Sequence, residues 1–349
     1  MQLGISDSQK RLLALIQEEV PLVECPFAEL GEKAGLSEEV VLETVDLLKQ
    51  EEIIRQISAI FDTRSLGYQS SLVAMRTNPK QEDEAAAVIN THPGVTHNYR
   101  RNHTFNLWFT VAVPPTSRIG LEKTINLFHE LTKANSTRMM PTLRLFKIGV
   151  NLDIMGDTPL DKKEAPRYSE EMRHRSDGKP TEQEIEFIRI FQGDLPIVSR
   201  PYQVLADRLS ISQDRLFEIA QRMIQQGKLR RVAAVLYHRK AGFVANAMGV
   251  WAVPDDVIEK VGREMAAFRA VSHCYRRPVY PDWPYSIFTM VHGRNKAECD
   301  NILATISQTT GMSQYEALYS TKEYKKVRLC YFTPEIEEWE KQYSATLFC

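Results

Sequence analysis

The pentapeptide His97-Asn98-Tyr99-Arg100-Arg101 returns later in the chain as His273-Cys274-Tyr275-Arg276-Arg277. Histidine changes charge near neutrality, a tyrosine hydroxyl donates or accepts a hydrogen bond, and the arginine fork pairs with anions through two bonds at once. One protonatable, cationic cluster is therefore present twice. A lone histidine–tyrosine pair on a strand reads as a satisfied structural hydrogen bond, and paired arginines alone read as solvated surface. Repetition shifts the balance toward a site, and so does the company. His103 and Trp108 follow the first cluster, and a rigid aromatic loop from Arg277 to Pro284, with Trp283, follows the second. The HExxH, P-loop, GxGxxG-after-strand and GxSxG patterns are missing from the sequence, so metalloprotease, NTPase, dinucleotide and hydrolase readings have no support.

The elements that must position these clusters are themselves duplicated. Laid on itself in one gap-free register, the chain matches Pro21 with Pro196, Pro26 with Pro201, Ser37 with Ser212, Arg55 with Arg230 and Gly67 with Gly242. The register slips by one residue at the pentapeptide. Near the ends it sets Ser136-Thr137 on Ser320-Thr321 and Arg144-Leu145 on Arg328-Leu329. In each copy a first helix capped by Ser6 or Thr181 and two more helices precede a hairpin-forming wing, IIRQISAIFD or KLRRVAAVLYH. A βαββαβ succession follows, closing on TLRLFKIGVNLD in the first copy and KKVRLCYFT in the second. The expected fold class is α+β, a tandem duplication in which each copy is a winged helix-turn-helix followed by a ferredoxin-like domain. Boundaries are expected at 1–66 and 67–155 for the first copy, 156–180 for a polar, mobile or loosely draped linker, and 181–241 and 242–349 for the second.

Strand alternation sets Val95, His97, Tyr99 and Arg101 on one side and Thr96, Asn98 and Arg100 on the other, leaving open which side is buried. On the next strand Phe105, Leu107, Phe109, Val111 and Val113 mark the core face, with Asn106, Trp108 and Thr110 opposite.

With 349 residues, 43% of them hydrophobic, the chain buries more than one core. No apolar run is long enough to span a membrane and no signal peptide opens the sequence, so a cytoplasmic location is expected. Five scattered cysteines without CxxC spacing suggest neither disulfides nor zinc. The 44 basic residues nearly cancel 45 acidic ones, which argues against the broad basic surface of a nucleic-acid binder.

A winged helix followed by βαββαβ resembles the Lrp/AsnC transcriptional regulators, so DNA binding is weighed first. The helix that would enter the major groove carries Glu38, Glu39, Glu43 and Asp46 against Lys49 alone, and phosphates would repel it. The winged helices are expected as scaffold and dimerisation elements, with DNA an unexpected partner.

PLVECPFAELGEKAGLSEEVV, IRQISAIFDTRSLGY and HPGVTHNYRRNHTFNLWFT are similar to the smaller-subunit type of siroheme decarboxylase, the Lrp/AsnC-like enzymes of the Ahb and Nir systems. SHCYRRPVYPDWPYSIFTMVHG with YSTKEYKKVRLCYF resembles the companion subunit, so the two subunit types are here fused. The resemblance implies a carboxy-lyase that removes two acetate carboxylates from siroheme without oxidation. The product is 12,18-didecarboxysiroheme, on the way to haem b or haem d1. It also implies siroheme as substrate, no cofactor beyond the substrate's iron, and an internal pseudo-dimer of the two copies with homo-oligomers open. His97, His103 and His273 are then the protonating or iron-binding candidates, assisted by Tyr99 and Tyr275, with no intrinsic metal site. Arg100, Arg101, Arg276 and Arg277 are candidate carboxylate anchors beside Trp108 and Trp283. Arg144, Lys147, Lys325, Lys326 and Arg328 lie on the last strands, facing either a ligand or, as edge charges, the solvent. His92, His129, His174, His238 and His292 read as surface or satisfied residues. The alternative is an Lrp/AsnC-type regulator sensing haem or another tetrapyrrole.

Overall fold

The computed structural model describes residues 6–149, 163–165, 168–170, 178–237 and 245–347. The first copy runs α1 (Asp7–Glu18), α2 (Pro26–Ala34), α3 (Glu38–Gln50), β1 (Ile54–Phe61), β2 (Gln69–Arg76), α4 (Glu82–Asn90), β3 (Val95–Arg101), β4 (Leu107–Val113), α5 (Gly120–Thr132), β5 (Ser136–Met140) and β6 (Arg144–Ile148). The second runs α6 (Glu182–Phe191), α7 (Pro201–Arg208), α8 (Gln213–Gln225), β7 (Leu229–Leu236), β8 (Ala245–Trp251), α9 (Ile258–Ala267), β9 (Val271–Arg276), β10 (Ile287–Gly293), α10 (Lys296–Thr310), β11 (Tyr315–Lys326) and α11 (Glu335–Leu347). His174 and His238 lie outside the described residues.

The duplication is written into the caps. Ser6 with Gln9 and Thr181 with Glu184 form reciprocal capping boxes at α1 and α6, Pro26 and Pro201 open α2 and α7, and Ser37 and Ser212 cap α3 and α8. The two winged-helix segments gather in one compact unit and the two ferredoxin-like segments in another. Among the described residues the expected wing hairpins do not form. Each copy supplies one strand after its third helix, and β1 pairs antiparallel with β7, matching Ala59 to Val232 and Ile57 to Ala234. Neither wing sequence holds a second β run for its own hairpin, so the missing strand comes from the other copy.

The second unit is a nine-stranded sheet in the order β5-β2-β4-β3-β11-β8-β10-β9-β6. The closing strands differ from those expected. The first copy ends its own sheet with β5, and the run read as its last strand, β6, pairs instead with β9 of the second copy. In the second copy one long strand does both jobs. Tyr315–Tyr319 of β11 pair with β8, Ser320–Lys326 pair with β3 of the first copy, and the chain leaves the strand at Val327. Each copy thus lends its last residues to the other's motif strand. Arg144, Lys147 and Ile148 stand against Arg276, Cys274 and His273 as Lys322, Lys325 and Lys326 stand against Arg100, Asn98 and His97. Arg144 therefore corresponds to Lys322, not to Arg328, because strand pairing and not residue likeness sets the register.

Three cores follow. α4 and α5 cover one face of the first half-sheet around Val73, Leu107, Phe109, Ile125 and Phe128, joined by Trp339 of α11. α9 and α10 cover the second around Trp251, Val261, Met265, Val291 and Leu303. The opposite faces of both halves share the third core, with Ala74, Trp108 and Met140 of the first copy against Met248, Trp283, Phe288 and Leu318 of the second. The stretch expected as a loose linker docks where it is described. Lys163 bridges Phe268, the Glu164 amide donates to Ala267, and the Ile148 amide donates to Tyr168 at 3.0 Å.

Candidate active site

A bulge in each motif strand decides which way the pentapeptide faces. Val95 pairs with Val111 and His97 with the adjacent Thr110, so the extra residue Thr96 breaks the alternation. Ser272 does the same in the second copy, where Val271 pairs with Val291 and His273 with Met290. Val95, Asn98 and Arg100 consequently turn toward the helices, while His97, Tyr99 and Arg101 turn to the inner face that carries the shared core. Helix-side bonds mark the divide. Asn98 Nδ2 donates to Asn90 Oδ1 of α4 at 3.0 Å, and Cys274 Sγ lies 3.5 Å from the Gly262 carbonyl of α9. Phe105, expected to share one core face with Leu107, sits in the inner core instead. The chain kinks before β4, and the Trp108 indole N–H donates to its carbonyl.

The four motif arginines therefore divide into two kinds. Arg100 and Arg276 lie on the helix faces, paired with Glu82 of α4 at 3.3 Å and with Asp255 at 2.9 Å. Arg101 and Arg277 are buried on the inner face, and each crosses to the other copy. Arg101 Nη1 donates to the Leu318 carbonyl at 2.8 Å, and Arg277 Nη1 donates to the Met140 carbonyl. Each guanidinium lies over its own tyrosine ring, 5.8 Å from Tyr99 and 4.8 Å from Tyr275. Burial pulls both down to about 10, which leaves them cationic at neutral pH. The Nε of each is buried without a hydrogen-bond partner.

His97 and His273 are half-buried on the inner face, each tilted against its tyrosine at 6.1 and 6.0 Å. Thr96 Oγ1 meets His97 Nδ1 at 3.0 Å, and Ser272 Oγ meets His273 Nδ1 at 2.8 Å. His103 sits apart, at the corner leading into β4. Its Nδ1 accepts from the Phe105 amide at 2.9 Å, and its Nε2 faces Glu316 at 3.7 Å. Burial lowers its pKa, and Glu316 opposes that. Trp108 and Trp283 pack against each other inside the shared core with centroids 5.1 Å apart.

Three of the remaining cations lie on the helix side. Lys325 Nζ donates to the Asn90 and His92 carbonyls at 2.8 and 3.1 Å, and Lys147 Nζ donates to the Phe268 carbonyl at 2.9 Å. Arg144 pairs with Glu259 of α9. Arg328 lies beyond β11, and Lys326 stands beside His97. Sequence reasoning passed over Thr96 and Ser272, although a hydroxyl residue before each histidine is itself part of the repeat. It also set His292 aside, yet His292 Nε2 lies 2.7 Å from Ser272 Oγ. Among the described residues no cluster of histidine, cysteine or carboxylate side chains is arranged to hold a metal ion, and no helix is long and apolar enough to cross a membrane.

Two winged helices and two ferredoxin-like halves carrying a repeated inner-face motif define a two-copy Lrp/AsnC-like protein. The model of the AsnC-like ligand binding domain matches residues 65–147 and 240–325, and that of the siroheme decarboxylase NirDL-like HTH domain matches 9–55 and 184–230. A siroheme decarboxylase of Hydrogenobacter thermophilus is 42% identical over 332 residues, 95% of this chain and 97% of its own length. The siroheme decarboxylase beta subunit of Methanosarcina barkeri is 42% identical over 143 residues, 41% of this chain and 94% of that one. The crystal structure of the siroheme decarboxylase NirDL in complex with an iron-uroporphyrin III analogue superposes with a TM-score of 0.78 at 36% identity, covering 98% of this chain and 100% of that one. The chain belongs to the siroheme decarboxylase family.

Proposed function

We propose that this protein decarboxylates siroheme, releasing two acetate carboxyls as carbon dioxide to leave methyl groups, as a carboxy-lyase working at the inner face of the ferredoxin-like unit. The observation that carries this reading is the likeness, along nearly the whole chain, to a siroheme decarboxylase with 42% identity. Geometry supports it. Two histidine–tyrosine pairs and two buried guanidinium groups share one face beside apolar side chains, the combination a flat, polycarboxylate macrocycle requires. Each decarboxylation replaces a carboxylate by a proton, and histidine suits that delivery at neutral pH. His97 and His273 are the candidates for this role, with Tyr99 and Tyr275 assisting. His103 orients the loop into β4, and the axial ligand of the substrate iron is sought among the three histidines. Arg101 and Arg277 supply fixed positive charge beneath the tyrosines. Arg100 and Arg276, turned to the helices and paired with carboxylates, serve the scaffold. The regulator alternative is disfavoured by the acidic α3, whose Glu39, Glu43 and Asp46 are exposed.

The test is anaerobic incubation of the purified chain with siroheme, extraction, and mass analysis of the tetrapyrrole, beside His97→Ala and His273→Ala. Loss of both carboxyls with the native chain, impaired in one or both variants, is expected. Unchanged siroheme would overturn the reading.

A further inference from the structure

The second copy carries a hydrogen-bonded chain of side chains that the first lacks. His273 Nδ1 lies 2.8 Å from Ser272 Oγ, and the same oxygen lies 2.7 Å from His292 Nε2. Its remaining contact is a long one, 3.3 Å to the Met290 carbonyl. The bulge makes this geometry, because the extra residue in β9 turns the Ser272 hydroxyl between two histidines on neighbouring strands. In the first copy Thr96 replaces Ser272, and Ala112 takes the place of His292 on β4. Thr96 Oγ1 meets His97 at 3.0 Å and then ends on another hydroxyl, Thr110, at 2.7 Å. A threonine holds no exchangeable charge near neutrality, so that chain leads nowhere a proton can be stored.

The strand lent by the opposite copy differs in the same sense. Lys326 stands opposite His97, whereas Ile148 stands opposite His273, and Glu323 opposite Tyr99 is answered by Leu145 opposite Tyr275. A carboxylate held beside Lys326 is stabilised as an anion; beside Ile148 and Leu145 it is not. The second copy thus offers both the apolar wall that favours losing the carboxylate and the donor chain that replaces it.

We infer that Ser272 and His292 form a proton relay into His273, and that the second copy protonates the substrate carbon. The inference rests on the decarboxylase reading and deepens it. As the carbon–carbon bond to the carboxylate breaks, carbon dioxide leaves and the electron pair stays on the macrocycle. That pair then forms the new carbon–hydrogen bond with the proton from His273 Nε2. Ser272 passes its hydroxyl proton to His273 Nδ1 and takes the Nε2 proton of His292. The hydroxyl turns back, half-buried His273 returns to its Nε2–H tautomer by exchanging protons with water, and half-buried His292 recovers a proton from water. Each acetate consumes one proton and releases one carbon dioxide, with no oxidant or reductant. Ser272 and His292 act through His273 and are positioning residues.

The deciding experiment measures steady-state siroheme turnover by the full chain carrying Ser272→Ala, Ser272→Thr, His292→Ala or, as the first-copy counterpart, Thr96→Val. Ser272→Ala is expected to lower kcat by about tenfold or more with KM within about twofold, and Ser272→Thr, which keeps the hydroxyl, to recover most of the loss. Imidazole in the buffer is expected to restore His292→Ala in part, a response that a purely structural residue does not give. Thr96→Val is expected to cost less than Ser272→Ala. A native chain that converts siroheme while Ser272→Ala keeps its kcat, or while Ser272→Thr does no better than alanine, overturns the relay and leaves the decarboxylase reading standing. A native chain that leaves siroheme unchanged overturns both. If Ser272→Ala melts at assay temperature, imidazole rescue of His292→Ala decides the matter, and its failure overturns the relay.

Discussion

The two motif strands are built alike in their own residues and unlike in the neighbours that stand beside their histidines. Both carry a one-residue bulge before the histidine, both send one arginine across to a carbonyl of the other copy, and both receive a lysine onto the carbonyl of the residue that opens the turn into the motif strand. Those shared features build a sheet that needs both halves. The differences lie at the histidines themselves: Lys326 against Ile148, Glu323 against Leu145, Thr110 and Ala112 against Met290 and His292. Duplication has kept the frame and let the two interiors diverge, which is how one chain can hold a macrocycle with chemically unequal edges.

The largest effect is expected from breaking the shared frame. Arg277→Ala removes the donor to the Met140 carbonyl and empties the space over Tyr275 and Phe288. Loss of a buried side chain and of a charged hydrogen bond together should cost about 4 kcal/mol in a denaturant melt. Arg101→Ala should cost nearly as much, since it makes the equivalent crossing. Arg277→Met, which keeps apolar volume, should recover about half of the loss.

Next comes a buried histidine with no counterpart. His92 is enclosed by Phe128 and Trp339, accepts from the Gly94 amide through Nδ1, and occupies the place that Phe268 holds in the second copy. Burial, with a smaller push from Lys325, lowers its pKa to about 3. A base held neutral in the fold but free to protonate at its ordinary value when unfolded contributes stability above about pH 6.5, and that stability is lost as pH falls toward 3. By pH 4 the loss amounts to about 3 kcal/mol. His92→Phe should flatten this window in melts between pH 7 and 4, while costing about 1 kcal/mol at neutral pH for the orphaned Gly94 amide. An unchanged acid profile in the variant would place the sensitivity elsewhere.

The sequence revealed what repeats and concealed what pairs. Proline, serine and arginine positions showed two copies because caps and turns are local and keep their residues. The facing of His97 could not be read, since a single bulge at Thr96 reverses the alternation on which such a reading depends. The last strands were misplaced for a related reason. Arg144-Leu145 looks like Arg328-Leu329, but the hydrogen-bond ladder aligns Arg144 with Lys322, and β5 is too short and polar to announce itself. His292 was passed over because it has no partner in the repeat, although divergence at a duplicated site is where a specialised role would appear.

A smaller change tests the unequal interiors directly. Ile148→Lys gives the second copy the neighbour that His97 has in the first and should slow turnover about tenfold, about 1.4 kcal/mol in the barrier, by stabilising the carboxylate that must leave. Lys326→Ile should raise KM more than it lowers kcat. Equal losses of kcat from both would mean that the two histidines share the proton delivery.

The least effect is expected where the third helices of the two winged domains, α3 and α8, are compared. On α3 the exposed charges are acidic, and Lys49 Nζ is held by Asp194 at 2.5 Å. α8 looks more basic in sequence, but Arg215 is paired with Glu218 at 2.8 Å and Arg222 with Glu184 at 3.6 Å, so its cations are engaged within the protein. Releasing condensed counterions from a phosphate backbone requires cations able to approach it, and neither helix presents a set of them. Duplex DNA should therefore bind no more tightly than about 10⁻⁴ M at physiological salt, the weak end of non-specific association, with a shallow salt dependence. Arg215→Ala should leave that binding unchanged in a fluorescence anisotropy titration. A steep salt slope that Arg215→Ala reduces would show that the second winged helix, unlike the first, still contacts nucleic acid.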